Sequence, residues 1–476
     1  MIIGGGAVGC ALAYTLSQYD VLIALLERNP DVCMETSGKN SAVIHAGFNN
    51  SPGSLMARLC VQGNKEFEEY CKILNVPYKK TGKMVVALND DDLPLLDEIL
   101  EQGNKNGCVG LRKLYKAEMN TIEPNVCGIA AMYSENTAVI DPFLYTIHLA
   151  EAAIQNGVEF FMNSEVTAIN CKNDKYEVYT NTAVYSTAIV INSAGLYSDI
   201  IASMIGDTQY KIYPSRGEYL LLDKQSSELV SMPVYPVPRK GVGGLGVHLT
   251  TTIDGNMLIG PSAEYVDSPE TYATTQQMLE QLYSEAKQLL PQIDRSMIIG
   301  QYTGIRPKII QKGSDNFGDF IIKESENNPD FINLIGIESP GLTASLPLAK
   351  CVAEMLNAKH SFSRNTNYKA EYKGSPIFRD LTVEQQNALI KDNPEYGEIV
   401  CRCENITRAE VLNALNNPLG SKSVVSVKNR TRATMGRCNG GYCLTRIVDS
   451  ITKQGVAPED ITYRHIGDKP FVGCVK

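Results

Sequence analysis

Blocks of apolar and polar residues name the first elements of the chain. The run MII leads into a glycine-rich turn, then the helix-like AVGCALAYTLSQ, then the apolar VLIALL, a strand over 21–26 that ends at Glu27. The order is strand, turn, helix, strand. The same grammar returns later. AEAAIQNGVEFFMNSEVTAI reads as an amphipathic helix stopped by a glycine and followed by two strands. TAIVINSAGLYSD is an apolar strand opening onto Ala194 and Gly195, and FINLIGIESPGLTASLPLAKCVAEML is strand, glycine turn and helix. Beyond residue 356 the chain becomes polar, a connector over 357–397 with one short helix. After it, TRAEVLNAL predicts a helix that Thr407 caps and Glu410 closes as a capping box.

The first turn carries chemistry. Gly4, Gly6 and Gly9 form G-x-G-x-x-G, with Ala7 and Val8 at the head of the helix. A side chain at Gly4 or Gly6 would obstruct the tight turn or a pyrophosphate resting on the helix N-terminal amides. Glu27 comes 18 residues after Gly9, followed by Arg28, and can accept both hydroxyls of a ribose. The strand before the glycines is only about three residues, against the usual five or six, which leaves room for chain upstream of Met1.

Composition narrows the classes. At 476 residues the chain exceeds one ordinary core, so two or three domains are expected. A net charge of −9, with no clustered Lys and Arg, excludes a nucleic-acid partner. The apolar N-terminus lacks the basic region and cleavage site of a signal peptide, and no run reaches the roughly 20 apolar residues of a membrane span. The expectation is a soluble, cytoplasmic protein, with peripheral membrane association left open.

Four of the 13 cysteines gather in two pairs, Cys401 with Cys403 and Cys438 with Cys443, giving Cys-x-Cys, 34 residues, Cys-x4-Cys. The rest are scattered, as reduced thiols in a cytosolic protein would be. A Cys-x-Cys disulfide would be strained. Zinc commonly takes cysteines separated by two to four residues, which the second pair satisfies and the first does not. An iron-sulfur cluster is the other reading, its sulfides hydrogen-bonded by the backbone of CNGGYC.

Thr36, Ser37, Asn40 and Ser41 precede an apolar AVIHAG, and here a family resemblance becomes plain. SGKNSAVIHAG, PGSLMARLCVQGN, INSAGLYSD, GIRPK and GIESPGLTAS, in that order over about residues 1–355, resemble the FAD-dependent glycine oxidase/D-amino-acid oxidase superfamily. Within it the chain is most similar to glycerol-3-phosphate dehydrogenases and oxidases, and nearly as similar to L-2-hydroxyglutarate dehydrogenases. The resemblance implies an α/β fold with a discontinuous Rossmann-like FAD domain (1–72, 140–203 and 300–356) and an inserted α+β substrate domain (73–139 and 204–299). It places Val166 at the adenine and Ala194 and Gly195 at the flavin nucleotide. The first turn of the last helix, Gly341, Leu342 and Thr343, would offer amides to the flavin pyrimidine oxygens. His45 follows AVI in the segment resembling the flavin-facing loop, and imidazole suits a general base. Arg306 of GIRPK matches the substrate arginine, and its fork binds carboxylate or phosphate. Lys240, or less favourably Arg239, resembles a lysine presented from a glycine-rich loop.

Residues 398–476 resemble the bacterioferritin-associated ferredoxin-like domain, with a second cysteine pair more widely spaced than in the free-standing form. That implies a [2Fe-2S] cluster on Cys401, Cys403, Cys438 and Cys443. The function expected is FAD-dependent oxidation of a small anionic secondary alcohol, first sn-glycerol 3-phosphate to dihydroxyacetone phosphate, with electrons leaving through the cluster to a redox partner protein or subunit. L-2-hydroxyglutarate oxidation, and a non-catalytic flavin and iron-sulfur subunit, are the alternatives.

Overall fold

Two short strands hold the glycine turn in place. In the computed structural model, which describes residues 1–172, 175–238, 246–311, 318–465 and 467–471, Ile2–Ile3 lies between Ala24–Leu26 and Val190–Asn192, parallel to both. Glu159–Phe161 extends the sheet on one side, Phe331–Ile335 and the antiparallel Ile321–Glu324 on the other. The chain therefore departs from its first strand in both directions, which opens a crevice at the strand ends where a dinucleotide binds. The helices Ala7–Leu16, Pro142–Gln155 and Gly341–His360 pack together over this sheet, around a core that includes Leu12, Tyr145 and Ala349. The second strand is shorter than VLIALL suggests. It begins at Ala24, and Leu22 is fully exposed in the loop before it.

A larger mixed sheet stands beside the crevice. Its path runs Glu264–Tyr265, Tyr213–Leu222, Met257–Gly260, His248–Thr251, Val234–Pro236, Lys83–Ala87, Ala130–Ser134 and Leu111–Tyr115. The strand Ile298–Lys308 also belongs here. It pairs with Tyr213–Leu222 from Tyr213↔Lys308 to Leu222↔Ile298, so residues 300–308, expected in the FAD domain, are part of this sheet. Ten successive backbone pairings outweigh the local apolar pattern, which reads the same in either sheet. A small sheet of Val43–Ile44, Ala138–Ile140 and Tyr78–Lys80 fastens the His45 segment between the two.

The C-terminal residues build their own core around Val400, Ile406, Val411, Val424, Val427, Ile447 and Ile451. Helix Arg408–Leu415 starts with the expected capping box: the Glu410 amide donates to Thr407 Oγ1, and the Thr407 amide to Glu410 Oε2 at 2.8 Å. This unit is locked to the rest of the chain by buried ion pairs, Arg430 to Asp31 and Glu151, and Arg432 to Asp254. Among the described residues no helix is long and apolar enough to cross a membrane.

Candidate active site

A cavity of about 800 Å³ runs from the glycine turn to the large sheet. Most expected cofactor residues line it: Gly4, Gly6, Ala7, Val8, Glu27, Arg28, Thr36, Ser37, Asn40, Ser41, Val166, Ala194, Gly195, Gly341 and Leu342. Gly9 and Thr343 do not. Gly9 lies under the turn, where a Cβ would stand 1.9 Å from the Gly4 carbonyl oxygen, so its glycine is demanded by the protein's own backbone. Gly4 has φ +104°, and its Cβ would meet the Ser193 carbonyl at 2.7 Å.

Side chains from distant segments finish the cradle. Gly6, the N-cap of helix Ala7–Leu16, has no side chain to receive the helix amides, and the Ala7 amide donates instead to Ser37 Oγ at 2.9 Å. Buried Glu27 accepts the Gly5 amide at 2.6 Å and the Asn29 amide at 2.8 Å, one on each oxygen. Burial raises its pKa, and these two amides oppose the rise. Each oxygen keeps a lone pair for a ribose hydroxyl. Asn40 spans its own turn, donating to the Thr36 and Ser37 carbonyls, while Thr36 donates to the Ile305 carbonyl. Arg28 lies 3.9 Å over the Tyr197 ring and pairs with Glu35.

His45 and Arg306 line the same cavity. The His45 amide donates to Thr343 Oγ1 at 3.0 Å, which ties the histidine to the start of helix Gly341–His360, and its Nε2 stands 3.5 Å from Ser339 Oγ. Burial first, and then the charge of Lys83, push the imidazole down to about 3. Lys83 is itself driven well down by burial, so desolvation is the cause that counts. Arg306 Nη1 and Nη2 both donate to the Ser262 carbonyl, at 3.3 and 3.2 Å, beside the Tyr219 hydroxyl. Among the described residues no carboxylate pairs with it. Arg239 and Lys240 lie outside the described residues.

Three residues escaped the sequence reading. His248 has no motif context, yet it lines the cavity, its ring stacked 3.4 Å from that of Tyr235. Lys83 Nζ sits 3.3 Å from the centroid of the Tyr235 ring, fully buried and, among the described residues, without a hydrogen-bond partner. The only local signal was a lysine at the head of the apolar run MVVA. Tyr219 stacks on Tyr302 at 4.6 Å, and Tyr302 donates to the Asn40 carbonyl, joining the two sides of the cavity.

The four paired cysteines come together in the C-terminal unit. Cys401 shares a hydrogen bond with Cys443, and Cys403 with Cys438. Cys443, with the amides of Glu404, Thr434 and Cys403, brings Cys401 down to about 6 against its burial. The Tyr442 and Gly440 amides lower Cys438. Gly436 makes the approach feasible, because a Cβ there would stand 2.2 Å from Cys403 Cβ. Among the described residues no three His, Cys, Asp or Glu converge on one metal position. Four thiols with backbone amides aimed at sulfur fit a [2Fe-2S] cluster, which Cys401, Cys403, Cys438 and Cys443 would hold.

Comparison with known proteins agrees with this geometry. The family model described as FAD dependent oxidoreductase matches residues 1–355, and the BFD-like [2Fe-2S] binding domain matches 399–453. A glycerol 3-phosphate dehydrogenase of Caloramator mitchellensis is 36% identical over 100% of this chain and 98% of its own length. An L-2-hydroxyglutarate dehydrogenase of Indibacter alkaliphilus is 32% identical over 74% of this chain and 97% of its own. The L-α-glycerophosphate oxidase of Mycoplasma pneumoniae, solved with FAD bound, superposes with a TM-score of 0.73 at 32% identity, covering 78% of this chain and 97% of that one.

Proposed function

The chain belongs to the FAD dependent oxidoreductase family and carries a C-terminal [2Fe-2S] domain, and from that premise we propose that it oxidises sn-glycerol 3-phosphate to dihydroxyacetone phosphate. It is an FAD-dependent dehydrogenase. The observation that carries the substrate reading is one cavity holding an uncharged His45 together with Arg306, whose guanidinium no carboxylate neutralises among the described residues. Phosphate ranks above carboxylate because the glycerol 3-phosphate relative spans both domains, while the L-2-hydroxyglutarate relative spans 74% of the chain.

Arg306 grips the phosphate through two parallel hydrogen bonds. The Ser262 carbonyl and Tyr219 hydroxyl set the plane of the guanidinium. His45, free of a proton at neutral pH, receives the proton of the substrate's secondary hydroxyl at Nε2 as hydride leaves the adjoining carbon. Bound FAD supplies the acceptor for that hydride, and the cluster a one-electron carrier beyond it. In the first turn of helix Gly341–His360 the Gly341 amide is taken by the Glu338 carbonyl, so the amides that follow it would be the ones offered to a bound flavin, and Glu27 would hold the ribose.

Anaerobic mixing decides the substrate. Glycerol 3-phosphate should bleach the flavin, and L-2-hydroxyglutarate should not. Bleaching by the diacid alone would replace the proposal with the second reading.

Arg306→Lys should weaken binding of glycerol 3-phosphate by about 10-fold or more, the scale of one charge-assisted hydrogen bond. Charge is kept and only the fork is lost. A spectral titration of the flavin measures it, and an unchanged Kd would remove Arg306 from the phosphate site.

Cys438→Ser should strip iron and acid-labile sulfide from the purified chain while substrate still bleaches the flavin. Zinc without sulfide in the unsubstituted protein would refute the cluster assignment.

A further inference from the structure

The cysteine centre is open on one side. Cys401 and Cys443 are buried, whereas Cys438 is exposed and Cys403 partly so. Around that open side stand three arginines. Arg402 and Arg446 place their guanidinium groups 4.3 and 3.9 Å from the ring of Tyr442, which belongs to the loop between Cys438 and Cys443. Arg446 Nη1 also donates to the Tyr442 carbonyl at 2.9 Å. Arg437, next to Cys438, is 65% exposed and reaches Asp223 at 3.3 Å. Among the described residues neither Arg402 nor Arg446 has a carboxylate partner. The charge is regional as well as local: residues 398–476 hold twelve Lys and Arg against seven Asp and Glu, although the whole chain holds 44 against 53.

We propose that the Arg402, Arg437, Tyr442 and Arg446 face is the docking site of an acidic one-electron carrier protein, which collects electrons at the exposed Cys438 edge. The inference rests on the dehydrogenase reading and adds to it the exit surface and the chemistry of the acceptor. Unpaired guanidinium groups around a redox edge attract and orient a carboxylate-rich partner, and in a chain that is negative elsewhere they direct it to this spot. Stacking on Tyr442 holds the two arginines in position, which lowers the ordering cost of docking. The balance is fixed by the substrate. Each alcohol oxidised to a ketone releases two electrons and two protons, so two oxidised carrier molecules leave reduced, one electron each, per turnover.

A membrane would use a different surface. Binding to anionic lipid in the interface needs apolar side chains to insert beside the cations. The helix Leu444–Lys453 instead shows solvent Thr445, Arg446 and Asp449, and the exposed large apolar residues of this unit, among the described residues, are Ile399, before the first cysteine, and Phe471, near the end of the chain.

The test is binding, measured on the full holoprotein by fluorescence anisotropy of a labelled acidic plant-type [2Fe-2S] ferredoxin at two salt concentrations. The ferredoxin should bind at low salt and weaken steeply as salt is raised. Arg402→Glu with Arg446→Glu should weaken binding about 10-fold or more, and Arg402→Gln with Arg446→Gln should fall between. Iron and sulfide per chain should be unchanged in both, and Lys453→Glu on the same unit should bind as before. Equal affinity in all variants would overturn the surface. So would wild-type binding to phosphatidylglycerol vesicles, lost with the arginines, in the absence of ferredoxin binding. Wild-type protein lacking iron and sulfide would instead overturn the cluster itself, a failure that the metal analysis separates from the first two.

Discussion

Removing the imidazole of His45 lowers the rate of flavin reduction by glycerol 3-phosphate roughly 100-fold or more, the scale of a lost general base. Its surroundings hold the residue in place and keep it unprotonated. Its position after Val43–Ile44 is held from two sides, by the amide bond to Thr343 Oγ1 and by the Cys60 thiol on its carbonyl. Burial brings its pKa to about 3, so the base form prevails throughout the neutral range. Anaerobic stopped-flow on His45→Ala reads the effect, with substrate affinity changing less because Arg306 is untouched. A rate equal to wild type would make His45 a core residue. The same shift has a signature in stability. Unfolded, the imidazole titrates near 6.5, so between about 3 and 6.5 the unfolded chain binds more protons than the native one. Stability from this group is present above 6.5 and lost as pH falls through the window. His45→Ala should therefore flatten the decline in stability between pH 7 and pH 5.

Gly9→Ala should yield a chain without flavin. The added Cβ would meet a backbone oxygen at 1.9 Å, and neither the helix nor the Gly4 turn can yield without moving the other. Overpacking of this kind costs typically ~1–3 kcal/mol, and here the strain falls on the cradle itself. Gly6→Ala is the informative contrast. Its Cβ would meet only Ser37 Oγ, at 3.0 Å, which can rotate away. That variant should melt close to wild-type apoprotein and still bind FAD poorly, because the methyl group occupies pyrophosphate space. Flavin absorbance and apoprotein melting temperature together separate the two. Full flavin content in Gly9→Ala would show that the turn is not the dinucleotide site.

Much of this was legible because it is written in short spacings. Gly4, Gly6 and Gly9 lie within six residues, and the demand at Gly9 comes from the Gly4 carbonyl of the same turn, whereas Gly4 and Gly6 face Ser193 and Ser37 from other segments. The Thr407 and Glu410 box closes over three residues. The cysteine pairs announce a metal centre because ligands must be close in any fold. The strand Ile298–Lys308 was harder to place, since its pattern states that it is a strand and not which sheet receives it.

By itself the sequence determined the nucleotide turn, the identity of the base and arginine candidates, the family and the two cofactors. Local backbone geometry suffices for the turn, and the ordered motifs, through the families they resemble, supply the rest. Tertiary structure decided how they work together. Ser37 serves the Ala7 amide from 30 residues away, Thr343 anchors His45 from 298 residues away, and Asp31 meets Arg430 across 399. Lys83 and His248 reach the cavity region only when strands from separate segments pair through Tyr235. Desolvation, which sets the charge state of His45 and Lys83, belongs to the packed molecule, because the water removed from one residue is displaced by side chains hundreds of positions away.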